Sequence, residues 1–172
     1  MALKFANNNS LSAITTKPSG LSGGSMNLIS TQTASSSSTI SFTSGIDSTY
    51  DEYVFKFYDI HPATDATGFT FQADTGTNTN YNQTITSTHF QARHNEDGSD
   101  GNLAYNTGRD QAQGTAFQPI SNTIGNDNDQ SLSGYLQIFN PSSTTFVKHF
   151  TSDCHVYHKD DYSQRLLVAG YA

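Results

Sequence analysis

Six histidines, fifteen acidic residues and one cysteine are the groups through which this chain could do chemistry. His149, His155 and His158 lie close enough in sequence to suggest a zinc shell built from imidazole nitrogens. In a strand, side chains alternate between faces, so His149 and His155 share one face and His158 takes the other. One site from all three would need a bulge, and the reading favours histidines on a solvated or intersubunit face. Asp97, Ser99 and Asp100, and separately Asp127 and Asp129, offer oxygens of the kind calcium takes. Neither group matches the Asp-x-Asp-x-Asp-Gly loop with its distal Glu, so both read as polar turns. No nucleophile elbow, His-Glu-x-x-His pair, Walker loop or Gly-x-Gly-x-x-Gly turn is read in the chain. No pair of carboxylates can be placed about a glycosidic bond. Tyr81, Tyr105 and Tyr162 could stack on sugar rings, although Tyr in a β protein mostly packs in the core or across strands. Cys154 stands alone, which forbids an internal disulfide, and it is expected as a small buried hydrophobe. These residues imply a non-enzyme with no catalytic, cofactor-binding or metal-binding set.

Whatever holds these groups must be built from strands. Ser, Thr and Asn make up about a third of the 172 residues, while only 13% are charged, so hydroxyls and amides solvate the surface. Thr, Tyr and Phe favour strands, and Asn, Ser and Gly favour turns. The 12% of aromatic residues supply enough buryable area to argue against general disorder. The net charge is −7, so no cationic surface is available to neutralise phosphates and nucleic acid is not an expected partner. No stretch approaches the roughly 20 apolar residues of a membrane span, and no signal peptide is read at the start.

Two segments differ in pattern. Residues 1–38 carry Leu3, Phe5, Ile14, Leu28 and Ile29 singly or in pairs between Gly, Ser and Asn, as expected of an extended attachment arm or, as the alternative, of a floppy tail. Residues 39–172 read as an antiparallel β-sandwich or jelly roll. Strands are expected at Thr39 to Thr43, Glu52 to Ile60, Gly68 to Asp74, Thr84 to His94, Leu132 to Asn140, Phe146 to His158 and Arg165 to Tyr171. Phe42, Phe55, Phe57, Phe69, Phe71, Phe90, Ile138, Phe146 and Phe150 are the expected core. The long connection between His94 and Ser131 reads as a loop, in which Phe117 to Ile124 forms an edge strand or covers the sandwich end.

From Ser44 onward the chain resembles a family of structural proteins of marine tailed phages, of cyanophage or pelagiphage type. The strings that carry the likeness are Ser44-Gly45-Ile46-Asp47-Ser48-Thr49-Tyr50-Asp51-Glu52-Tyr53, Ile60-His61-Pro62, Asp129-Gln130-Ser131-Leu132-Ser133-Gly134 and Phe139-Asn140-Pro141-Ser142-Ser143-Thr144-Thr145. Lys4-Phe5-Ala6-Asn7-Asn8 is similar to the starts of phage tail and fibre proteins. The resemblance implies a virion location, as a tail fibre or capsid decoration, after synthesis in the host cytoplasm. It implies other virion proteins as partners, a homo-oligomer with a trimer ahead of a dimer, and no catalytic chemistry. A carbohydrate- or receptor-binding module at the virion surface is the alternative. Family members continue beyond the position of Tyr171-Ala172, which implies a final strand missing here or supplied by a partner.

Overall fold

The computed structural model describes residues 26–75 and 79–172. Two units are distinct, Met1–Ile40 and Ser41–Ala172. In the first, residues 26–40 form neither strand nor helix and are exposed, Leu28 and Ile29 included. Leu3, Phe5 and Ile14 lie outside the described residues.

The second unit is all-β and antiparallel. Its strands are β1 (Glu52–Ile60), β2 (Thr70–Phe71), β3 (Thr86–Asn95), β4 (Gly101–Tyr105), β5 (Gln118–Pro119), β6 (Leu132–Phe139), β7 (His149–His158) and β8 (Tyr162–Tyr171). Six of them make one sheet in the order β1-β6-β7-β8-β3-β4, and β2 and β5 make a short ribbon. Among the described residues no helix is long and apolar enough to cross a membrane.

Local sequence explains the connections. Asn95 to Asp100 turns β3 into β4, with Gly98 at φ 72°, a left-handed conformation that a side chain resists. Asn140 takes φ 44° and accepts the Ser143 N–H on its carbonyl, opening the β6–β7 loop at Pro141. In β1 the register to β6 shifts between Phe57 and Ile60, where Asp59 sits at φ 49° and its N–H bonds Ser133 Oγ.

The core lies between the long sheet and the segment carrying the ribbon. Period-two alternation turns Leu132 and Leu136, Phe150, Cys154 and Val156, and Leu166 and Val168 inward. Ile124 closes over Leu132, Cys154, Val156 and Leu166, while Ile85 joins Leu136, Phe150 and Val168. Edge-to-face ring pairs pin the ribbon segment down, Phe57 with Phe69 at 5.0 Å and Phe71 with Phe150 at 4.9 Å between centroids.

Several expectations are corrected. Thr39 to Thr43 is not a strand; Phe42 instead packs edge-on against Phe55 and stays partly exposed. Phe90 is exposed because Ile85 and Phe90 are an odd number of residues apart, and a strand cannot turn both inward. Phe146 precedes β7, in the loop, and is 71% exposed. Tyr162 is buried rather than free to stack on a sugar. The long connection contains an unexpected strand, β4, while β5 falls within Phe117 to Ile124, where an edge strand is one of the expectations. The chain's last strand is no open edge: β8 pairs with β7 and with β3, and the open edges belong to β1 and β4.

Candidate functional site

The inner face of the six-stranded sheet changes character from one side to the other. On β1, β6 and β7 it is mostly aromatic and aliphatic, with Ser152 and His158 the buried polar residues of β7. On β3 and the adjoining part of β8 the same alternation brings Ser87, His89, Gln91 and Arg93 inward beside Gln164 and Tyr162. Burying these polar groups costs free energy unless each finds a partner.

Gln91 is the hub. Its Oε1 accepts hydrogen bonds from Asn106 Nδ2 at 2.9 Å, Asn122 Nδ2 at 2.8 Å and Gln164 Nε2 at 2.9 Å. Those donors come from the segment after β4, the covering segment and β8, so one amide oxygen ties both layers together. Asn106 Nδ2 also meets His89 Nδ1 at 3.1 Å. A donating amide makes that nitrogen an acceptor, which puts the neutral ring's proton on Nε2. A second knot forms where Ser87 Oγ donates to Gln118 Oε1 at 2.6 Å and Gln118 Nε2 donates to the Arg109 carbonyl at 3.0 Å.

Electrostatics follow from this burial. His89 is fully buried and its pKa falls to about 4, first by desolvation and then by the Arg109 charge. Burial also lowers His158, whose ring stacks on Tyr162 at 3.9 Å between centroids, and the Arg93 guanidinium lies over the Tyr162 ring. Three buried atoms of this network, His89 Nε2, Asn122 Oδ1 and Gln164 Oε1, have no protein partner.

Asn106 also forms a wall of a shallow, open concavity of about 520 Å³, lined by Tyr105, Asn106, Thr107, Gly108 and Arg109. Tyr105 Oη donates to Asp110 Oδ2, and that bond raises the Tyr105 pKa. Among the described residues Arg109 makes no ion pair. A cation, an amide and a phenol at one depression can hold a small polyol or a carboxylate.

The outer face is different again. No part of the described unit covers it. Across it runs a row of cross-strand neighbours, Lys56, Tyr135, Asp153, Leu167, Phe90 and Tyr105. Beside that row stand Ser133, His155, Arg165, Ala92 and Leu103. Arg165 grips Asp153 through two bonds of 2.9 and 2.6 Å. A hydrogen bond to Glu96 pushes the Tyr157 hydroxyl up to about 12.

The residues singled out from sequence are scattered. His149 and His155 face outward and His158 inward, as alternation requires. His155 Nε2 lies 2.9 Å from Ser163 Oγ, a nucleophile–base spacing on an open, flat strand pair. Asp97 caps its own turn by accepting the Ser99 N–H, and hydrogen bonds from the Ser99 side chain and then its backbone lower the Asp97 pKa. Asp100 pairs with Arg93 at 2.7 Å. Asp127 closes a turn with Gln130, and Asp129 is exposed. Among the described residues no three His, Cys, Asp or Glu side chains converge as a metal site. Cys154 is buried and burial raises its thiol pKa. The sequence reading overlooked one string: Gly20-Leu21-Ser22-Gly23-Gly24 has the Gly-x-Ser-x-Gly spacing and lies outside the described residues. It also passed over His89, Gln91, Asn106, Arg109, Asn122 and Gln164. The available signal was parity, since Ile85, Ser87, His89, Gln91 and Arg93 are two apart and must share a face.

Taken together these features define an antiparallel β-sandwich with unequal layers, one sheet face covered and one bare. No known protein family, curated protein or solved structure matches the chain.

Proposed function

We propose that this chain is a non-enzymatic structural component of a tailed-phage virion, a tail-fibre-like appendage or capsid decoration anchored through residues 1–38. The observation that carries the reading is the bare outer face of the six-stranded sheet. It presents Tyr58, Phe90, Leu103, Tyr105, Tyr135 and Leu167 to solvent. An aromatic face of that extent suits a part held among neighbours. The strings that resemble those of phage structural proteins support a virion location. The test is to purify particles, identify their proteins by mass spectrometry and image them with a labelled antibody to this chain. Particles that lack the chain would refute the proposal.

The second reading is a carbohydrate- or receptor-binding module at the virion surface. It is favoured by the depression at Tyr105, Asn106 and Arg109, where an aromatic ring borders an unpaired guanidinium. Binding of acidic glycans that Arg109→Ala abolishes supports it; a glycan array without signal removes it.

A further inference from the structure

The bare outer face needs an occupant, and its size, charge and shape select one. Six strands spaced ~4.8 Å apart and ~8 residues long at ~3.3 Å each make a face of about 700 Å². A standard protein interface buries roughly 800 Å² on each partner, so this one face is nearly enough for a stable pair. A single peptide or sugar would leave most of it wet.

Charge narrows the choice further. Within the strands, the outer face carries Glu52, Asp59 and Asp153 against Lys56 and Arg165, so it is close to neutral in a chain whose net charge is −7. Most of the fifteen acidic residues lie off this face, so two copies can approach through it with little repulsion. A strongly charged partner would gain little from this face, whereas an identical copy meets little repulsion through it. The apolar residues are grouped as self-pairing requires. Leu167, Phe90 and Tyr105 are direct cross-strand neighbours, and Ala92 and Leu103 lie alongside, at the β8-β3-β4 side. A patch crossed by a twofold axis meets its own image, so it must be complementary to itself, and an apolar patch satisfies that condition. Two twisted sheets stack face to face about 10 Å apart, with side chains interdigitating. The β1 edge is a poor alternative, because the bulge at Asp59 breaks the regular ladder there.

We propose that the outer face of the six-stranded sheet is a twofold self-association interface, formed with a second copy of this chain and centred on Leu103, Phe90, Tyr105 and Leu167. The interface is a property of the chain in solution and stands apart from the virion reading. It replaces the threefold arrangement implied by the resemblance.

The experiment is light scattering and sedimentation equilibrium of the full chain from ~1 to ~100 µM, a range in which micromolar pairing is visible. The expected species has twice the chain mass of 18.7 kDa. Leu103→Glu and Leu167→Glu should each weaken pairing at least tenfold. Leu103 is 80% exposed, so its substitution leaves the fold intact, and a thermal melt checks this. Phe146→Glu, on the loop before β7 and off this face, should leave the dimer unchanged. A monomer throughout the range, a threefold mass, or a dimer that tolerates both glutamates overturns the proposal. Particles that lack the chain would leave this dimer standing, so the two readings fail separately.

Discussion

Replacing Gln91 by Leu removes the one oxygen that joins three amide groups, two of them buried. Asn106 Nδ2 keeps its contact with His89, but Asn122 Nδ2 and Gln164 Nε2 lose the bond that Gln91 gave them. Asn122 and Gln164 are both buried, so water does not replace what is lost. Each stranded donor costs about 1–3 kcal/mol, which puts the substitution at about 2–6 kcal/mol. A domain of this size has about 5–15 kcal/mol in total. With a urea m-value of about 2 kcal/mol/M, the unfolding midpoint should fall by about 1–3 M. Gln91→Glu is the companion variant. Its carboxylate can accept from all three amides beside the Arg93 and Arg109 charges, and it should recover most of the loss near pH 7. Urea titrations followed by circular dichroism on the three proteins decide the matter. If Gln91→Leu costs less than about 1 kcal/mol, the hub has no energetic role and the argument from stranded donors is wrong.

Gly134→Ala should cost about 3 kcal/mol or more, because the added Cβ would lie 2.7 Å from Cys154 Cα and closer still to the Asp153 carbonyl oxygen; denaturant titration measures it. His89 couples stability to acid: its folded pKa of about 4 lies below the ordinary value of 6.5, so the unfolded chain binds the proton more readily. The wild type should therefore lose up to about 3 kcal/mol as pH falls from about 6.5 to about 4, and His89→Gln should flatten that slope. Deleting residues 1–38 should leave the thermal midpoint unchanged and abolish incorporation into particles. Equal incorporation of the truncated chain would move attachment onto the sandwich.

The long strands were legible because their alternation is strict. Glu52 to Ile60 turns Tyr53, Phe55 and Phe57 one way without interruption, and β1 has those bounds. Leu132, Leu136 and Ile138 fixed the inner face of β6 for the same reason. Thr39 to Thr43 misled because alternation reports a preference and not a partner: Phe42 meets Phe55 through its ring and not through a ladder of backbone bonds. The strand Gly101–Tyr105 was hidden by its composition, since Gly101 and Asn102 are poor strand residues held in place by pairing with His94 and Arg93. The polar network was missed for a deeper reason. His89 and Gln91 carry no apolar signal, and their burial depends on the covering segment that supplies Asn122, more than thirty residues away in the chain.

The sheet's order also governs how the chain must be made. Strand β1 is among the first to leave the ribosome, yet its only neighbour is β6, with Glu52 opposite Phe139. At synthesis rates of about 5–20 residues per second, the roughly 80 intervening residues take on the order of 4–16 s to appear. Throughout that interval the aromatic stripe of Tyr53, Phe55 and Phe57 lacks its sheet partner and has only ring neighbours such as Phe42 and Phe69 to cover it. The strands β6, β7 and β8 form a local meander that closes as soon as it is synthesised, whereas β1 must wait for β6 to appear. During a burst of expression the nascent chain is therefore most exposed to chaperone capture, or to clumping with its neighbours, at its own first strand.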